Sequence, residues 1–184
     1  MCSLLLLGFT IWRTVTAPGP PRSQPATVGS TEVAIRAVTV DQAFARARAW
    51  RTAVNGKPVP YSMVLCYPDF TAVPCVAPAY RTDCSGYVSM ILGLETSLVT
   101  GDMVADWFAE PLTKEQLRPG DLLVDPAVGA AGHVVLFEKW ADTAHTIYWG
   151  YEQRGGYGTD HRRIPYPYFH DRVLKPYRYK GMRA

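Results

Sequence analysis

The chain has 184 residues, of which 48% are hydrophobic and 19% are charged, and its formal net charge is +3. This composition supports one compact domain with a core of its own. Arg and Lys are scattered and form no basic stripe, so we do not expect binding to nucleic acid. The 11 Tyr and 15 Pro residues favour loops and strands over a helical bundle.

The chain opens with an apolar run, "MCSLLLLGFTIW", that is too short to cross a bilayer comfortably. It resembles the apolar region of a signal peptide, and "TVTAPGP" offers a cleavage neighbourhood, although no Lys or Arg precedes the run. We expect a leader over residues 1–16, either a signal peptide or an anchor, and a Pro/Ser-rich linker over residues 17–37. The folded domain then occupies residues 38–184, and the protein is secreted or held at the cell envelope. Whether the leader is cleaved stays open.

The cysteines fit an exported protein. Cys66 and Cys75 bracket the loop "CYPDFTAVPC", and a disulfide between them is reasonable in an oxidising compartment. Cys2 lies in the leader. Cys84 is therefore left without a partner.

Two longer helices and one short helix are predicted. In "TVDQAFARARAWRTAVNG" the apolar residues recur at helical spacing, which predicts a helix over residues 40–54. Residues 57–81 are rich in Pro and Tyr and read as a loop with short strands. The apolar residues that follow Cys84 predict a buried helix that ends near Gly93. "MVADWFAEPL" predicts a short third helix that stops at its proline.

Strands dominate the rest of the chain. The segments "LRPGDLLVD", "HVVLFEKW", "TIYWGYEQ" and "HRRIPYPYF" predict four strands. "VLKPYRYKG" predicts a fifth strand at the edge of the sheet, where a proline is tolerated best. Helices first and strands afterwards is the α+β pattern.

Cys84 and His133 are the residues on which chemistry depends. A cysteine attacks as its thiolate, and both the positive end of a helix dipole and a neighbouring imidazole favour that form. Cys84 lies where the helix begins, and His133 opens a strand after the Gly-rich "VGAAG". Cysteine hydrolases divide the work between such a pair. The alternative is a buried structural thiol and a histidine at a strand end, and spacing alone does not decide between the two.

Three segments in order resemble the NlpC/P60 family of cell-wall cysteine peptidases. They are "DCSGYV" at 83–88, "LRPGDLLV" at 117–124 and "HVVLFEKW" at 133–140, and the resemblance spans roughly residues 55–155. It implies a papain-like α+β fold, in which the nucleophile helix packs on an antiparallel sheet of about five strands. Three features depart from the family pattern: "HVVLF" lacks the glycine after "HV", no "GG" follows "VPYS", and the loop "LCYPDFTAVPCVAPAYR" is unusual.

The resemblance also assigns roles. It implies that Cys84 is the nucleophile and His133 the general base. Tyr61, in "VPYS", corresponds to the tyrosine near the oxyanion and substrate pocket. Asp83 corresponds to the acid that holds a substrate's amino end, and Ser85 belongs to the same substrate-binding group. An N-cap role for Asp83 is the structural alternative, and the two roles can coexist.

The third catalytic residue orients the imidazole from the following strand, "TIYWGYEQR". Glu152 and Gln153 point to opposite faces, so only one of them can meet His133. The face that carries Gln153 is the more apolar and is expected to pack on the helices. We favour Glu152, because a carboxylate is the better partner for an imidazolium, and His145 is a further alternative.

The resemblance implies a secreted or surface-tethered cysteine hydrolase, a thiol peptidase or amidase that cleaves peptidoglycan stem peptides. It needs no cofactor, acts as a monomer, and can be tethered to a membrane through the leader. No two histidines or cysteines have metal-ligand spacing on one element, so a metal site is not expected. Two alternatives stay open: a non-catalytic cell-wall or partner-binding module on the same fold, and an acyltransferase that uses the same Cys–His pair.

Overall fold

The structure, a computed structural model, describes residues 35–170 and 172–184. Its two α-helices are α1 (Val40–Ala49) and α2 (Cys84–Leu92). The strands are β1 (Val38–Thr39), β2 (Leu65–Tyr67), β3 (Thr71–Ala72), β4 (Tyr80–Arg81), β5 (Ala109–Pro111), β6 (Leu122–Asp125), β7 (His133–Trp140), β8 (Ile147–Arg154), β9 (Gly158–Pro165), β10 (Lys175–Tyr179) and β11 (Met182–Arg183). Single 3-10 turns lie at Asp102–Val104, Lys114–Gln116 and Gly129–Ala131.

A six-stranded antiparallel sheet is the centre of the fold. Its order is β5–β10–β6–β7–β8–β9, and β7, β8 and β9 each have eight residues. Because side chains alternate along a strand, each strand contributes side chains to both faces of the sheet. Both faces are covered, so the sheet separates a core on the helix side from a second core on the opposite side.

Helix α2 is almost completely buried on the helix side. Every residue of α2 except Met90 is buried, and the helix packs against α1, β7 and β8. The Tyr87 hydroxyl donates to the Ala47 carbonyl oxygen of α1 at 2.8 Å. The helix ends at Gly93, whose φ of 67° is a left-handed conformation that glycine adopts at little cost. The start of α2 is thus held firmly on the sheet.

The opposite face is covered by the segment that follows β9. Tyr166, Tyr168 and Phe169 pack there against buried side chains of β7, β8 and β9, among them Phe137 and Tyr148. This irregular segment is therefore part of the second core.

A three-stranded sheet of order β3–β2–β4 precedes α2. Cys66 in β2 and Cys75 in the loop after β3 are joined by a disulfide, as the sequence predicts for an exported protein. Because β4 ends three residues before Cys84, this small sheet leads the chain directly into α2.

The mixed α+β architecture is confirmed, but four local predictions are wrong. Helix α1 ends at Ala49 instead of residue 54, because a turn at Asn55–Gly56 pairs Val54 with Lys57 and draws the chain out of the helix. The sheet has six strands instead of about five.

The predicted third helix is wrong as well. "MVADWFAEPL" begins in the 3-10 turn at Asp102–Val104 and then becomes β5, which pairs with β10. Pairing across the sheet overrides the local helical pattern.

The predicted edge strand, β10, instead lies between β5 and β6. Its Pro176 is tolerated for a related reason. The Pro176 carbonyl oxygen accepts from Leu112 N–H, just past the end of β5. The nitrogen of Pro176 faces the same side, so the missing N–H falls where the β5 ladder has already ended.

The leader, residues 1–16, and most of the linker, residues 17–37, lie outside the described residues. Within the described part, no helix has the length and apolar character needed to cross a membrane.

Candidate active site

The "DCSG" motif forms the start of α2. Asp83 is the N-cap, and its Oδ1 accepts a hydrogen bond from the Gly86 N–H at 2.8 Å. A Cβ at Gly86 would overlap the backbone carbonyl of Arg81, so only glycine allows β4 to approach the helix this closely. The motif therefore places Cys84 at the first position of a tightly held helix.

The Cys84 thiol is buried, and this governs its protonation. It is the free cysteine of the described residues. Burial, followed by the negative charge of Asp83, raises the pKa of the thiol to about 11, although N–H groups of Val134 and Ser85 and the charge of Arg172 act in the opposite direction. The thiol is therefore protonated at neutral pH. The helix start favours the thiolate, as the sequence suggests, but burial outweighs it.

His133 and Glu152 form a close pair. His133 begins β7, and its Nε2 lies 2.7 Å from Oε2 of Glu152, which is fully buried in β8. Burial opposes ionisation of this carboxyl group. The hydrogen bond and charge of His133, aided by Tyr168 and Arg162, nevertheless lower its pKa to about 2. Glu152 is therefore a carboxylate under ordinary conditions.

The thiol is influenced by β7 at the residue after His133. The backbone N–H of Val134 acts to lower the pKa of the Cys84 thiol. In the described part of the chain, the hydrogen bonds of His133 all use Nε2, and none joins its ring to the thiol. Nδ1 is thus the ring nitrogen left to accept a proton from Cys84.

An open cavity of about 400 Å³ has Cys84 in its lining. Tyr61, Asp83 and Ser85, the three residues that the resemblance assigns to substrate binding, all line it. The disulfide loop, at Val73–Cys75, contributes a wall. The structure therefore brings these three residues and the thiol to one cavity, with room for a substrate.

Asp83 is already engaged within the protein. Its Oδ2 accepts from Arg81 Nε at 2.6 Å, while Oδ1 caps the helix. Arg81 Nη2 also donates to Ser85 Oγ and to the Leu98 carbonyl oxygen, each at 2.8 Å. The N-cap role of Asp83 is thus present, and its charge is balanced by a guanidinium that the sequence did not single out.

The two other candidates for the third catalytic residue lie elsewhere. Gln153, on the helix side of β8, uses Nε2 to donate to the Val59 and Thr82 carbonyl oxygens and accepts from Thr159 at 2.6 Å. His145 stacks on Trp140 with the ring centres 4.6 Å apart. Of the three candidates, Glu152 is the residue that contacts His133.

Four further residues near the site were missed from the sequence: Arg81, Arg162, Tyr168 and Arg172. Arg162 donates from Nε to Glu152 Oε1 at 2.5 Å, and Arg172 is paired with Asp125 at 2.9 Å. Alternation along β9 could have placed Arg162 on the face of Glu152 only if the register with β8 had been known.

The described residues contain no cluster of three or more His, Cys, Asp or Glu side chains suited to a metal ion. In comparisons with known proteins, no family model matches the chain and no curated protein sequence matches it significantly.

Proposed function

We propose that the protein is a cysteine hydrolase that cleaves amide bonds with Cys84 as nucleophile and His133 as general base. The observation that carries this proposal is the 2.7 Å contact between His133 and Glu152 at the start of β7. The next residue of the strand, Val134, has a backbone N–H that acts to lower the pKa of the Cys84 thiol. An orienting acid, a base and a thiol at a helix start are the parts that such an enzyme needs. We also propose that the fold is the papain-like fold of the NlpC/P60 peptidases, which the helix packed on an antiparallel sheet supports.

The chemistry starts from a protonated thiol. As the Cys84 sulfur bonds to the carbonyl carbon, Nδ1 of His133 takes the thiol proton, and Glu152 stabilises the imidazolium that forms. Collapse of the tetrahedral intermediate breaks the C–N bond, and His133 returns the proton to the leaving amine. Water, activated by the same imidazole, then attacks the thioester and releases the acid and the thiol.

The oxyanion would be held at the start of α2. The backbone N–H of Cys84 and the Tyr61 hydroxyl are the proposed donors. Tyr61 lines the cavity, and burial, with the charges of Cys84 and Asp83, raises its pKa. Its hydroxyl therefore keeps the proton that it has to donate.

We propose peptidoglycan stem peptides as the substrate class and the cell envelope or the exterior as the place of action. The substrate class is inferred from the resemblance of the three segments. The reaction type is inferred from the residues of the site, because a fold alone does not determine function. The Cys66–Cys75 disulfide supports an oxidising compartment. The cavity beside Cys84 is lined by the Arg81–Asp83 ion pair and by apolar side chains, so a peptide can make both polar and apolar contacts there.

Mass spectrometry of purified peptidoglycan fragments tests the hydrolase. Incubation with the wild type should give shortened stem peptides, and Cys84→Ala should give none. Gln153→Ala is the matched control, because it alters the neighbour of Glu152 on the other face of β8. Unchanged fragments after incubation with the wild type would contradict the proposal.

A non-catalytic binding module is the second candidate, and the raised pKa of the buried thiol favours it. Such a module would bind the fragments without changing their mass. It would bind Cys84→Ala and the wild type equally well. Binding of the fragments by the wild type with no change in their mass would therefore identify the binding module, whereas a change in mass identifies the hydrolase.

A further inference from the structure

We propose that Tyr168 is a positioning residue of this hydrolase, whose hydroxyl group clamps the His133–Glu152 pair. The inference rests on the proposed function, because positioning has meaning only if His133 acts as a base. Tyr168 Oη lies 2.7 Å from Glu152 Oε2 and 3.1 Å from His133 Nε2. Its ring also packs on the imidazole, with the centres 5.1 Å apart.

The protons of this group can be assigned from chemistry. Glu152 is ionised, so its oxygens can only accept hydrogen bonds. The single hydroxyl proton of Tyr168 therefore goes to Glu152 Oε2, and the tyrosine oxygen faces Nε2 as an acceptor. Both neighbours of Nε2 are then acceptors, so the neutral imidazole carries its proton on Nε2 and has its lone pair on Nδ1. This is the tautomer that can take the thiol proton.

Arg162 holds the clamp from the far side. Its Nε donates to Glu152 Oε1 at 2.5 Å, and its Nη2 donates to the Tyr168 oxygen at 3.3 Å. The guanidinium also lies 4.4 Å from the centre of the Phe169 ring. The segment after β9 is thereby fixed to the carboxylate, and Tyr168 is fixed over the imidazole.

Tyr168→Phe keeps the ring and removes only the hydroxyl. Without it, Glu152 Oε2 loses a donor and Nε2–H loses its second acceptor, so the remaining His–Glu hydrogen bond becomes stronger and the ring is held by fewer contacts. We expect kcat to fall about tenfold with KM unchanged, because the base is less well oriented. We also expect the Nε2-bound proton to resonate further downfield.

Tyr166→Phe is the matched control. Tyr166 lies in the same segment and is half-buried, but its ring packs on Trp140 and Lys114 instead of His133. This variant should leave both kcat and the His133 resonance unchanged. Urea unfolding of both variants would show that the fold is intact.

The test is ¹⁵N–¹H NMR of histidine-labelled protein at mildly alkaline pH, with His133 assigned through His133→Gln. The wild type should show protonated Nε2 and unprotonated Nδ1, and Tyr168→Phe should move the Nε2 proton downfield. A wild type with its proton on Nδ1, or a resonance that Tyr168→Phe leaves in place, would overturn the clamp. If the resonance moves but the wild type cleaves nothing, the hydrolase is refuted and the contact stands. Cleavage with an unmoved resonance refutes the clamp alone.

Discussion

His133 Nε2 and Glu152 Oε2 lie 2.7 Å apart, while the other carboxylate oxygen, Oε1, accepts from Arg162 Nε at 2.5 Å. Glu152 is thus a fully buried carboxylate with a partner on each oxygen. A buried charge is tolerated only when it is paired in this way.

The first prediction concerns the carboxylate itself. Glu152→Gln keeps the size of the side chain but removes the charge that stabilises the imidazolium. We expect kcat for amide hydrolysis to fall by about 10²- to 10⁴-fold, with a much smaller change in KM. Steady-state kinetics with a purified stem peptide measures both constants, and an unchanged kcat would remove Glu152 from the mechanism.

Substitution of Gln153 should lower stability more than it lowers kcat. The Gln153 amide group joins β8 to the Val59 and Thr82 carbonyl oxygens, so Gln153→Ala removes one of two donors from each carbonyl and leaves the Thr159 hydroxyl without its acceptor. We expect the free energy of unfolding to fall by about 1–3 kcal/mol and kcat to fall by less than about tenfold. Urea unfolding and kinetics on one preparation check this, and a large loss of kcat with normal stability would reverse the two assignments.

Acid stability gives a separate test of Glu152. Its pKa is lowered from the ordinary value of 4.5 to about 2, so in this range the unfolded chain binds the proton and the folded chain does not. The resulting stabilisation, about 3 kcal/mol, is complete above the ordinary pKa and is lost as the pH falls towards 2. The wild type should therefore lose its advantage over Glu152→Gln in free energy of unfolding as the pH falls from about 4.5 to about 2. A constant difference in urea unfolding at each pH would show that Glu152 is not ionised in the fold.

Much of the site could be predicted from the sequence because its signals are local. The cap at Asp83, the apolar spacing after Cys84 and the stop at Gly93 define α2 within a dozen residues. Strand alternation alone showed that only one of Glu152 and Gln153 can meet His133.

The remaining features depend on distant pairing. Arg162 reaches Glu152 only through the β8–β9 register. Tyr168 lies in an irregular segment without the hydrophobic periodicity that would predict its position. The local pattern over β5 predicts a helix, whereas the strand forms by pairing with β10, which is more than sixty residues away. The raised pKa of the Cys84 thiol follows from burial, which only the packed structure shows.

The raised pKa of the Cys84 thiol determines how its rate of alkylation depends on pH. Since iodoacetamide reacts with the thiolate, labelling of Cys84 should accelerate about tenfold per pH unit until the pH approaches 11. The experiment needs a Cys2→Ser background, because Cys66 and Cys75 are already joined. A rate that levels off near neutral pH would contradict the protonated resting state.

Asp83 provides a variant that shifts this rate. Its charge raises the pKa of Cys84, and Asp83→Asn removes the charge while an asparagine still caps the helix. We expect faster alkylation at a given pH with α2 intact. Asp83→Ala should in addition cost about 1 kcal/mol of stability through loss of the cap. If Asp83→Asn leaves the alkylation rate unchanged, the charge does not act on the thiol.

Detection of the acyl-enzyme tests the central claim most directly. The protein is mixed with stem peptides, and the reaction is quenched with acid before the first turnover is complete. The mass of the intact protein and of its proteolytic peptides is then measured. We predict an added acyl group on Cys84 that hydroxylamine removes, in accordance with a thioester, and its absence in Cys84→Ala. Cleavage that continues in Cys84→Ala, with no acyl group on Cys84 in the wild type, would contradict the account.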